Sequence, residues 1–214
     1  MVKYYIDSKV VSPQNPKAQA SAFSQWVFQQ TVEKKGFKTG IPINKKRLEL
    51  GTYTHQLIDE FYRTEWAIRK LKPIAGDFSD WIPIFTERDA TADNIKYSNK
   101  LIVGNKPLAC HPDVVLKHKT EKKIIIIERK STTLSEDRIG AWPNLQTQLW
   151  CYSWVDDWLD FDEIILVGQI WTLYGGRNKP VMINNHFVWK RSDNAHNDYC
   201  LKWFNLYRGN LVDS

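Results

Sequence analysis

The 214-residue sequence carries 30 Lys+Arg against 24 Asp+Glu, a formal charge of +6, and 43% of its residues are hydrophobic. This fits one globular domain spanning residues 1–214 with its own core, and it excludes collagen-like repeats and intrinsic disorder. The apolar runs fall far short of the ~20 residues of a membrane-spanning helix, and Asp7 interrupts the N-terminus before an apolar signal region can form, so a soluble, cytoplasmic protein with no membrane partner is expected.

Residues 1–15 read as extended, punctuated by Pro13 and Pro16. A first helix is predicted over residues 18–34, where Phe23, Trp26, Val27 and Val32 recur at three- and four-residue spacings, and Gly36, Gly40 and Pro42 close it. A second helix is predicted over 46–71, with Leu50, Tyr53, Leu57, Phe61 and Ile68 turned inward, ended by Pro73 and Gly76.

From Trp81 the period shortens. Strands are predicted over 81–86, 100–103, 108–116 and 123–131, separated by Asn, Gly, Asp and Lys. Helical spacing returns over 142–159, with Leu145, Leu149 and Tyr152 on one stripe and Trp150, Trp154 and Trp158 on the next. Two strands, 163–174 and 181–190, flank the turn at Gly175-Gly176, and a last helix over 194–207 is expected to stop at Gly209. The order predicts an α/β protein with a mixed, mostly antiparallel central sheet flanked by helices.

Cys110, Cys151 and Cys200 form no CxxC pair and read as buried, reduced thiols. The positive charge favours a polyanionic partner, without settling which.

The chemistry concentrates in His111-Pro112-Asp113 and Glu128-Arg129-Lys130. If the strands 108–116 and 123–131 form a symmetric hairpin centred between Thr120 and Glu121, Asp113 lies opposite Glu128 on one face, with Cβ atoms about 5 Å apart. Lys130 shares that face because side chains alternate. Pro112 cannot donate to the ladder and is a candidate for a bulge that would shift this register. Two carboxylates this close need a neutralising charge, and their oxygens suit Mg²⁺ or Mn²⁺, an ion that activates water and braces a phosphodiester under attack.

Pro112-Asp113 followed by Glu128-Arg129-Lys130 after an Ile-rich strand resembles the PD-(D/E)xK nuclease superfamily. Gly51-Thr52-Tyr53-Thr54-His55 upstream and Gln148-Leu149-Trp150-Cys151-Tyr152 downstream, a QxxxY pattern, narrow the resemblance to its RecB-like branch. The resemblance implies a restriction-endonuclease-like core, here about residues 48–190, and Mg²⁺- or Mn²⁺-dependent hydrolysis of DNA in processing, recombination or repair. Residue by residue it implies His55, Asp113 and Glu128 as metal ligands with the carbonyl of Arg129, Lys130 as the catalytic lysine, and Gln148 and Tyr152 as positioning groups. The iron–sulfur cluster of some relatives is not expected, because no cysteine precedes Cys110 and no group of three follows.

Each motif also has an ordinary reading: His55 as a surface partner of Asp59, Asp113 in a turn, Glu128 and Lys130 as a solvated pair, Tyr152 as a core aromatic. A catalytically inactive DNA-binding module on the same scaffold is the alternative function. Lys45-Lys46-Arg47 and the lysines of 117–123 are candidate phosphate contacts. Glu87 is a further candidate carboxylate, His186 and His196 read as surface or turn residues, and the tryptophans and tyrosines offer stacking platforms for bases.

Overall fold

The computed structural model describes residues 18–32, 53, 71–86, 98–132, 142–172, 181–182 and 187–212. The elements are α1 (Ala20–Thr31), α2 (Lys72–Ala75), β1 (Trp81–Thr86), β2 (Ile102–Val103), β3 (Lys106–Pro107), β4 (Val114–His118), β5 (Lys123–Thr132), α3 (Pro143–Tyr152), β6 (Glu163–Thr172), β7 (Val181–Met182), β8 (Phe187–Lys190) and α4 (Asn194–Val212). Short 3₁₀ turns occupy Phe78–Asp80 and Asp156–Trp158.

One mixed sheet runs β1–β4–β5–β6–β7, with β8 also pairing with β6. β5 and β6 are parallel over their full length, and the other pairs are antiparallel. β2 and β3 form a separate small hairpin. Period-two alternation gives the sheet two apolar faces. On one face Val115, Ile124, Ile126, Ile164 and Leu166 meet Phe23 and Val27 of α1, Leu145 and Leu149 of α3, and Phe204 and Tyr207 of α4. On the other, Val114, Leu116, Ile125, Ile127, Ile165 and Val167 meet Leu71, with Ile74 and Phe78 against them. Ile124 to Ile127 are therefore fully buried from both sides, each contributing ~1.5–3 kcal/mol of transfer free energy, which makes β5 a rigid support.

The hairpin register is the predicted one. Val114 pairs with Ile127, Val115 with Ile126, Leu116 with Ile125 and Lys117 with Ile124, an unbroken ladder. Pro112 introduces no shift there, because it precedes the first paired residue. The irregularity falls instead between Pro83 and Phe85 on β1, an edge strand, where a proline costs no ladder bond.

Several boundaries differ from the sequence reading. Residues 108–113 are not strand: β4 starts at Val114. The segment ahead of it is clamped to α1 by the N–H of Ala20 donating to the carbonyl of Ala109 and the N–H of Ala109 to that of Ala18, both 2.9 Å. The helix predicted to reach residue 159 ends at Tyr152, because side chains take its last carbonyls. Asn99 Nδ2 donates to the carbonyl of Cys151 at 2.5 Å, and Trp158 Nε1 to that of Tyr152 at 2.6 Å. The tryptophan stripe is thus divided: Trp150 lies on α3, Trp154 beyond its end and Trp158 on a 3₁₀ turn. Pro73 sits in the first turn of α2, which Gly76 closes at φ 70°. The strand predicted over 181–190 is described as two pieces, and α4 continues through Gly209 to Val212. Apart from Tyr53 and Leu71, the helix predicted over 46–71 lies outside the described residues, as does the Gly175-Gly176 turn.

The three cysteines are free and fully buried, and burial raises the thiol of Cys110 to about 12. No helix among the described residues is long and apolar enough to cross a membrane.

Candidate active site

The alternation that buries Ile124 and Ile126 under the helices carries Glu128 and Lys130 onto the same face, and continuing the β4–β5 register places Asp113 across from Glu128. Asp113 and Glu128 are 6% and 3% exposed. Asp113 Oδ2 accepts the backbone N–H of Arg129 at 2.6 Å, which ties the residue just before β4 to the strand that carries Glu128.

α3 supplies the roof. Gln148 and Tyr152, one turn apart, share a face. Gln148 Nε2 donates to Glu128 Oε1 at 2.8 Å and to the Tyr152 hydroxyl at 2.6 Å, while Gln148 Oε1 accepts from Lys130 Nζ at 3.0 Å. Lys130 Nζ also donates to Glu128 Oε1 at 2.6 Å. The Tyr152 hydroxyl donates onward to the carbonyl of His111 at 3.0 Å. Five of the six predicted site residues, Asp113, Glu128, Lys130, Gln148 and Tyr152, are therefore brought together. The sixth, His55, lies outside the described residues, as do Lys45 to Arg47, Glu87 and His186.

Glu128 is electrostatically costly where it stands. Burial raises its carboxyl to about 7, the charge of Asp113 pushes the same way, and Lys130 opposes both. Its Oε1 has two donors, whereas its Oε2 is buried with no hydrogen-bond partner. Ionised, the two carboxylates outnumber the one ammonium, that of Lys130, that bonds Glu128 among the described residues. That donor set fits a hard divalent cation. Among the described residues no group of three His, Cys, Asp or Glu assembles that could hold a metal, so Asp113 and Glu128 contribute a pair. Lys130 is the more open end of the ion pair, with its side chain 27% exposed against 5% for Glu128.

Three contributors escaped the sequence reading. Ser24 of α1 is buried and its Oγ lies 3.4 Å from Gln148 Oε1. The carbonyl of His111 anchors Tyr152. Gly168 pairs with Glu128 across β5–β6, and a Cβ built on it would lie 2.6 Å from Cδ2 of Leu145. The missing side chain lets α3 approach β6 closely enough for Gln148, three residues beyond Leu145, to reach Glu128. A single glycine inside a strand signals such an approach; Ser24 and His111 leave no comparable mark.

Other candidates fall elsewhere. The lysines of 117–123 sit at the tip of the β4–β5 hairpin, with Lys123 about 17 Å along the strand from Glu128. A cavity of about 370 Å³ lies there, lined by Lys117, Lys119, Lys122, Asp157 and Phe161, away from the carboxylates. His196, read as a surface residue, is 3% exposed; it stacks on Trp189 and lies 3.1 Å from Gln146 Nε2 through its Nδ1.

No protein-family model and no curated protein matches the chain. Among solved structures, the crystal structure of SSO0001 is similar at a TM-score of 0.39 and 15% identity, covering 88% of this chain and 74% of that one. A likeness of that degree assigns neither fold family nor function.

Proposed function

We propose that the protein is a Mg²⁺- or Mn²⁺-dependent deoxyribonuclease built on a restriction-endonuclease-like core, of the PD-(D/E)xK superfamily and its RecB-like branch. The observation that carries the reading is the buried, unpartnered Oε2 of Glu128 next to a second carboxylate and a lysine. A structural ion pair would satisfy both oxygens or expose them.

Asp113 and Glu128 would hold the ion, with the carbonyl of Arg129 and with His55 as the resemblance implies. A bound Mg²⁺ or Mn²⁺ supplies Lewis acidity at the phosphodiester and strengthens water as a nucleophile. Lys130 contacts Glu128 and is partly exposed, so it can hold the attacking water and offset the charge that grows on the phosphate oxygens. Gln148 keeps the Lys130 ammonium from swinging away by accepting from it while donating to Glu128. Tyr152 orients the amide: its hydroxyl donates to His111, so its lone pair faces Gln148 Nε2 and Gln148 Oε1 is turned to Lys130. Hydrolysis adds the water oxygen to phosphorus, breaks the phosphorus–oxygen bond to the leaving strand, and transfers a proton to that strand's oxygen.

The test is cleavage of labelled linear and closed circular DNA, single- and double-stranded, with Mg²⁺, Mn²⁺ or EDTA. Metal-dependent cutting by the wild type that Glu128→Ala and Lys130→Ala abolish supports the reading, and cutting of circles makes the enzyme an endonuclease. Bound but intact DNA under every metal condition sinks it in favour of the inactive DNA-binding scaffold.

A further inference from the structure

Four positions line up across the sheet at the level of the site. The β4–β5 register, continued by one residue, sets Asp113 opposite Glu128; Glu128 pairs with Gly168 and Gly168 pairs with Phe187, on the face beneath the helices. Phe187 therefore lies about two strand spacings, roughly 10 Å, from Glu128. Nothing projects from Gly168 between them, and Leu145 in the first turn of α3 covers it. Phe187 is half-buried, and it ends a ladder of rings. It stacks on Trp189 with centroids 6.3 Å apart and planes at 23°, and Trp189 stacks on the buried His196 at 5.6 Å and 18°. β8 spaces the first two rings and α4 supplies the third, so the ladder is held by two elements before any ligand arrives.

Resting on the nuclease reading above, we propose that Phe187 is a stacking platform for a nucleobase one or two nucleotides from the scissile phosphate, and that the substrate strand is single-stranded at that position. A ladder fixed at its inner end and half-exposed at its outer ring continues naturally into a base stack. Base pairing would keep that base inside a duplex, so an unpaired strand is the form that can use the ring. The chain's +6 charge suits the backbone of such a strand.

The experiment measures binding of the full-length protein, in EDTA so that nothing is cut, to a labelled single-stranded oligonucleotide with one abasic site walked along its length. For the wild type, affinity falls ~5- to 150-fold at one or two adjacent abasic positions, the range for losing one base–aromatic stack. Phe187→Leu, which keeps apolar bulk, binds the intact strand more weakly by a similar factor and is indifferent to the abasic site, and Phe187→Trp restores both affinity and position dependence. Equal abasic sensitivity in wild type and Phe187→Leu overturns the platform. So do indifference of the wild type to every position, and an equal effect of Phe187→Leu on a fully paired duplex. Cleavage is scored separately with Mn²⁺: cutting without the Phe187 effect sinks the platform alone, and the Phe187 effect without cutting sinks the nuclease reading alone.

Discussion

Tyr152 and Gln148 fix one another's polarity: the Gln148 amide nitrogen donates to the Tyr152 hydroxyl at 2.6 Å, and that hydroxyl spends its single proton on the carbonyl of His111. Tyr152→Phe removes one of the two acceptors of the amide nitrogen and leaves Glu128 Oε1 as the other. The amide is then held less firmly in the orientation that presents its oxygen to Lys130. The expected result is kcat lowered by tenfold or more with KM little changed, together with a stability loss of ~1–2 kcal/mol for one buried hydrogen bond. Steady-state cleavage and denaturant unfolding of the same preparation check both, and an unchanged kcat removes Tyr152 from the site.

Glu128 makes the metal-free protein less stable as pH rises. Its folded carboxyl titrates near 7 and its ordinary value is 4.5, so the folded state holds a proton that the unfolded state has lost between those values. Stability is then undiminished below about 4.5 and falls as pH climbs through 7. Glu128→Gln removes that dependence and should melt about 2–8 °C above the wild type at pH 8 in EDTA, while losing cleavage. Added Mg²⁺ or Mn²⁺ should raise the melting temperature of the wild type and leave that of Glu128→Gln nearly unmoved. Thermal scans with and without EDTA decide it.

The site was legible wherever strand alternation governed it. Asp113, Glu128 and Lys130 follow from a tight hairpin and a period of two, because the short turn fixes the register and a one-residue slip would carry Glu128 and Lys130 to the opposite face. Gln148 and Tyr152 follow from helical spacing on α3. What escaped was set by distant contacts. The end of α3 depends on Asn99 and Trp158, and the start of β4 follows a segment clamped to α1 through Ala109. The bonds of Asn99 and Ala109 join distant parts of the chain that no local pattern encodes, and that of Trp158 reaches back only six residues. Gly209 failed as a helix stop because a glycine ends a helix only where the chain turns away, and a Cβ there would meet nothing within 4 Å, so no close contact calls for glycine. His196 looked polar and exposed, but α4, begun by Asp193 Oδ1 accepting the N–H of His196, turns it inward onto Trp189.

That burial gives His196 an acid-sensitive role. Loss of solvent lowers its imidazole to about 4, and Asp193 opposes this only in part. Its ring faces Gln146 and Cys200 through Nδ1 and stacks on Trp189, and its Nε2 is buried without a hydrogen-bond partner. The unfolded chain binds the proton near 6.5 and the folded one resists it to about 4, so stability is present above 6.5 and drains away as pH falls across that window, by at most about 3 kcal/mol. His196→Phe keeps the stack and abolishes the titration. The variant's unfolding free energy should be flatter between pH 6.5 and 4 than that of the wild type, and parallel curves would show that other groups carry the acid dependence.

Gly168 couples packing to chemistry. An alanine there places a methyl 2.6 Å from Cδ2 and 3.0 Å from Cγ of Leu145, a fully buried side chain that must shift. We expect the shift to be passed in part to the first turns of α3, at an overpacking cost of ~1–3 kcal/mol. Gln148 rides on the same helix, so its contacts to Glu128 and Lys130 lengthen together. Gly168→Ala should therefore lower cleavage by more than the loss of folded protein explains, whereas the double variant Gly168→Ala with Leu145→Ala, which vacates the space the methyl needs, should regain activity relative to Gly168→Ala. Measuring kcat at a temperature where all three proteins are fully folded separates these effects, and activity that simply tracks stability would leave Gly168 a packing residue with no part in setting the site.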